Sequence, residues 1–139
     1  MSDWVKRKAE NQRRQTQEDS VALDVRLFWR QLREAFQRDA TSICEEFGHH
    51  LKIRVSENRL YAEKPSFPYV EVIGMLDIPE RVILVERLSR QYKGAEPEIC
   101  DDRLSFDWDS GNNLCVKHAG VRMESEEVSE FLLTPFADL

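Results

Sequence analysis

From Val21 onward apolar residues recur at steps of 4, 3, 4, 4, 4, 3 and 4: Val21, Val25, Phe28, Leu32, Phe36, Ala40, Ile43 and Phe47. Steps of three and four place all of them on one face of an α-helix. Ser20 precedes the run as an N-cap, its hydroxyl able to accept from a first-turn amide. Gly48 follows it as a C-cap. Such a helix is about 40 Å long. Its mean step slightly exceeds the helical repeat, so the stripe lies flat on a sheet rather than winding into a left-handed coiled coil.

Residues 1–19 are rich in Gln, Arg, Lys, Glu and Ala and favour helix by propensity. Their apolar residues, Trp4, Val5 and Ala9, form no evident stripe, and a helix with nothing to bury is marginal in water. They are expected to form a polar segment, frayed unless a neighbour orders it. Residues 20–139 are expected to form one domain.

Beyond residue 50 the period changes to two. Leu51, Ile53 and Val55 alternate with Lys52, Arg54 and Ser56, which predicts a half-buried strand. A second strand follows near 59–64, and Pro65 and Pro68 mark the next connection. Tyr69 to Leu76 and Val82 to Val85 are apolar on both faces and predict central strands. A polar loop is expected at about 93–102. Leu104, Phe106 and Trp108 then alternate with polar residues, and Asp109 to Asn113 supply hairpin chemistry before a return strand at Leu114 and Val116. Ser125 predicts the N-cap of a last short helix, with Val128, Phe131 and Leu132 on its apolar face and Pro135 at its end.

The predicted class is α+β: a long N-terminal amphipathic helix packed on an antiparallel sheet of about five to six strands, then a short C-terminal helix. The order of elements resembles that of cystatin-like rolls and of cone folds related to nuclear transport factor 2. No motif is shared, so the likeness carries fold order and no function.

Charge narrows the partners. The 139 residues carry a net charge of −6, and residues 1–20, with five basic and four acidic groups, hold +1 of it. The remainder is therefore at −7 and repels phosphate backbones, so nucleic acid is not an expected partner. No apolar run approaches membrane-spanning length. Three cysteines, Cys44, Cys100 and Cys115, without a secretory leader point to free thiols and a cytoplasmic location.

Little of the chain reads as chemistry. Cys44 with His49 and Cys115 with His118 imitate a zinc ligand set, but on a strand Cys115 and His118 point to opposite faces. The segment Asp107 to Asn113 has a superficial likeness to a calcium loop, yet its glycine comes fifth and His118 holds the twelfth position, so a hairpin turn explains it better. His49 and His50 suit the C-terminal end of a helix dipole more than general-base work. Glu96, Glu98, Asp101 and Asp102 read as a solvated acidic loop. No phosphate-cradling loop, nucleophile elbow or dinucleotide fingerprint is present. Neither metal nor cofactor is expected, and the balance leans away from an enzyme.

One feature of the long helix asks for more than a core. With Val21 at 0° and about 100° per residue, the main stripe, including Ala22, Trp29, Ala35 and Cys44, covers about −40° to 140°. Leu23 and Leu27 fall near 200° and 240°, on the far side, beside Arg30 and Glu34. A second apolar spot with a charged rim is expected either to be covered by residues 1–19 or the C-terminal tail folding back, or to be an interaction surface for a protein partner or a second copy. The alternative expectation is a ligand pocket between helix and curved sheet, lined by Phe36, Tyr69, Phe106 and Trp108.

Overall fold

The computed structural model describes residues 2–138. Helix α1 (Asp3–Phe47) leads into seven strands: β1 (Lys52–Val55), β2 (Arg59–Lys64), β3 (Tyr69–Asp77), β4 (Val82–Arg90), β5 (Glu98–Trp108), β6 (Leu114–His118) and β7 (Val121–Met123). Helix α2 (Ser125–Ala137) closes the chain. The sheet is an antiparallel meander in which every strand pairs with its sequence neighbours. The fold is thus α+β, with one or two strands more than the sequence pattern predicts.

Four boundaries differ from the sequence expectation, each for a physical reason. Helix α1 starts at Asp3 rather than after Ser20. The packed turns supply the costly nucleus, and good helix formers propagate from it. Residues 98–102, expected in a loop, belong to β5 and pair with Val85 to Ser89 of β4. Their polar residues occupy both faces, which hides the period of two. The three-residue β7 is too short to show a period. Finally, α2 is capped by Glu124, whose backbone N–H donates to Glu127 Oε1 at 3.2 Å, and the helix runs through Pro135 to Ala137.

Both helices cover one face of the sheet. Val25, Phe28, Trp29, Leu32, Ala35, Phe36 and Ala40 of α1 are buried, as the periodicity predicts, and Val21 and Ile43 are half-buried at the margins. Phe47 departs from the pattern: it is 52% exposed and stacks on His49, because the helix outruns the sheet. Gly48 ends α1 in the left-handed conformation, at φ +67°. Phe28 meets Phe106 edge to face at 5.3 Å. The indole N–H of Trp29 donates to the carbonyl of Ser56, which ties α1 to the β1–β2 turn. Helix α2 lies beside α1, and the buried Ser129 hydroxyl donates to Asp39 Oδ2 at 2.7 Å between them.

Gly74 of β3 lies under Leu132 of α2. A methyl group placed there would sit 3.8 Å from Leu132 Cδ1 and Leu60 Cβ, an ordinary contact distance. Gly74→Ala is therefore expected to stabilise the fold by about 0.5–1 kcal/mol, by filling space and restricting the unfolded chain. Thermal unfolding checks it: a lowered midpoint would show that α2 cannot accept the methyl group.

Candidate protein-interaction face on the long helix

Ser2 to Ser20 are exposed except for Val5 and Ala9, which are half-buried. Further along, Leu23 is 61% and Leu27 46% exposed, on the side of α1 opposite the core stripe. Arg30 and Glu34 continue that side and are also exposed. The structure brings these four predicted residues together along consecutive helical turns, open to solvent. Neighbouring turns carry further cations. Arg26, Arg30 and Arg33 line a cleft of about 280 Å³ over Trp29, facing Glu57.

The four residues expected to line a pocket diverge. Phe36 and Phe106 are buried in the helix–sheet core. Trp108 lines a surface cleft with α1 residues Arg14 to Asp24, and the Arg81 guanidinium lies over its ring. Tyr69 shares the opposite face of the sheet with Glu71, to which its hydroxyl donates at 2.8 Å. No single cavity joins all four among the described residues.

That opposite face is a second open surface. The register sets Ile73 beside Tyr61 and Met75 beside Leu84. Met75 and Leu84 are 40% and 36% exposed. The sequence pattern hid this surface, because β3 and β4 are apolar on both faces and read as buried on both. Tyr61 also lies here and donates to Glu63. Desolvation, reinforced by that bond, pushes its phenol up to about 12. Desolvation and the Glu71 bond push Tyr69 in the same direction.

Sequence reasoning missed a polar cluster between sheet and α2. His118 Nε2 lies 3.0 Å from Asp102 Oδ1, and Arg87 Nη1 lies 3.8 Å from Asp102 Oδ2. The Arg87 guanidinium stacks over the Phe131 ring at 4.2 Å and donates from Nη2 to the Phe131 carbonyl at 2.7 Å. That carbonyl would ordinarily accept from the residue four further on. Here that residue is Pro135, which has no N–H, and Arg87 supplies the missing donor. The signal was present in Pro135, but nothing local indicates which strand answers it. The three charged or ionisable groups are engaged with one another and with α2, so the cluster acts as a tie.

The β5–β6 hairpin accounts for the loop that imitates a calcium site. Asp109 Oδ1 accepts from the N–H groups of Gly111 and Asn113 at 2.8 and 2.9 Å, and Arg122 pairs with its other oxygen. The Asn113 amide, more than any other group, holds this carboxyl below the usual range. Its oxygens thus serve the turn. Cys115, on β6 of this hairpin, is fully buried, while His118 joins Asp102, so the two do not converge on one ion.

No helix is long and apolar enough to cross a membrane among the described residues. Comparison with models of known protein families, with curated proteins and with solved structures finds no match.

Proposed function

We propose that this chain is a non-enzymatic protein-interaction module, an adaptor, chaperone or homodimeric accessory protein, that makes contact through the outer face of α1. The observation that carries the reading is the exposure of Leu23 and Leu27 on a helix whose other side is already occupied by the core. Exposed apolar side chains ringed by Arg30 and Glu34 have the make-up of a contact centre with a polar rim. The −7 outside residues 1–20 disfavours a nucleic-acid partner. The three unpaired cysteines suit a reducing compartment, so the cytoplasm is the proposed location. The pocket alternative draws no support from Phe36, Tyr69, Phe106 and Trp108, which point to different places.

Leu23→Glu combined with Leu27→Glu is expected to abolish association, seen as a lower mass by light scattering or as loss of a co-purified partner. The circular dichroism spectrum and melting midpoint should stay close to the parent's, because both positions are exposed. Met75→Glu with Leu84→Glu, on the open sheet face, should leave association intact. If the helix variant behaves as the parent does in both mass and partner capture, the proposal fails.

A further inference from the structure

We infer that the occupant of this face is a second copy of the same chain, with its α1 running antiparallel and the two-fold axis level with Val25. The inference rests on the interaction reading above and names the partner. Eighteen residues make five helical turns, so Val5 and Ala9 lie in line with Leu23 and Leu27. Gln12, Thr16 and Asp19 fill the stripe between them, and Arg30, Glu34, Thr41 and Glu45 continue it.

An antiparallel pair about that axis sets residues opposite when their numbers add to about 50. Leu23 then packs on Leu27 of the second copy, and the symmetry repeats the contact. One turn outward on each side, Asp19 meets Arg30 of the second copy. Within one chain neither has an ion pair within 4.0 Å among the described residues. Asp19 accepts a side-chain hydrogen bond from Gln15, one turn back on the same helix, at 3.3 Å. A parallel pair would instead set Asp19 level with Asp19 and Arg30 level with Arg30, two repulsive contacts.

The ends of the helix complete the match. Lys6 and Lys8 flank the stripe of one copy and come within about a turn of Glu45, which lies on the stripe of the other. These basic residues lie in the exposed stretch before residue 20, and Glu45 is likewise exposed. The bare N-terminal turns of each chain would thus cover the acidic C-terminal half of the other's helix. A helix that buries nothing is marginal in water, and pairing supplies the contact that holds these turns.

The test is a charge swap read by light scattering and analytical ultracentrifugation. The parent should sediment at twice the 16.4 kDa of one chain. Asp19→Arg alone, or Arg30→Asp alone, should weaken the dimer about ten-fold, since each substitution sets like charges together twice. Asp19→Arg combined with Arg30→Asp remakes both pairs and should bring the dissociation constant back near the parent's. A different protein as partner would not be recovered by that double variant.

A monomeric parent overturns the inference, and the interaction reading survives only if a captured partner is lost with Leu23→Glu and Leu27→Glu. A dimeric parent that the leucine variant dissociates, but that the double charge swap does not restore, overturns the antiparallel arrangement and leaves the face in place. A dimer indifferent to the leucine variant overturns both.

Discussion

Phe36→Ala should lower stability by roughly 3–5 kcal/mol. Phe36 is 1% exposed at the middle of the α1 stripe and belongs to the one core cluster joining α1, α2 and the sheet. Truncation removes the transfer energy of the ring and leaves a cavity that two packed helices cannot easily collapse around. A domain of this size has a total stability of about 5–15 kcal/mol. The melting midpoint should therefore fall by about 10–20 °C, read by circular dichroism. Phe47→Ala is the matched control. The same residue type stands on the same sequence stripe, but it is 52% exposed. Its truncation should cost less than about 1 kcal/mol. Equal losses for the two would show that the helix sits on the sheet differently.

Asp102→Ala is expected to cost about 2–3 kcal/mol in urea unfolding. The carboxylate is 20% exposed and faces the 23% exposed Arg87 guanidinium as well as the His118 ring. Removing it leaves a cation partly out of water with the Phe131 carbonyl as its remaining hydrogen-bond acceptor. Breaking a fully buried pair costs more than this, and solvent screening at one-fifth exposure reduces the figure. Replacing both partners, Arg87→Met with Asp102→Leu, should recover part of the loss, because no unpaired charge remains. Recovery should stay incomplete, since Pro135 still leaves the Phe131 carbonyl without a donor. An Asp102→Ala variant as stable as the parent would show that the cluster is not a tie between sheet and helix.

The open face of α1 and the hidden cluster were unequally legible. Leu23 and Leu27 could be found from the sequence because a helix repeats every 3.6 residues, so a residue off the stripe is visible without knowing what the stripe touches. Val5 and Ala9 needed the structure, since their alignment with the leucines has meaning only once α1 is continuous from Asp3. In the cluster of Arg87, Asp102 and His118, Arg87 reaches Asp102, 15 positions on, and Phe131, 44 positions on, while Asp102 reaches His118, 16 positions on. Each of the three lies in a stretch where charged residues are common, and no local spacing singles it out.

The same contrast separates the two levels of organisation in the whole molecule. Periodicity, capping residues and turn chemistry determined the class, the meander order, the core face of α1 and its end at Gly48, because these depend on contacts a few residues apart. Tertiary structure decided where α1 begins, that residues 98–102 form a strand, that Phe47 lies outside the core, and which strand answers the proline of α2. Those outcomes depend on what the sheet covers and on groups brought together from distant segments, and a linear pattern carries neither.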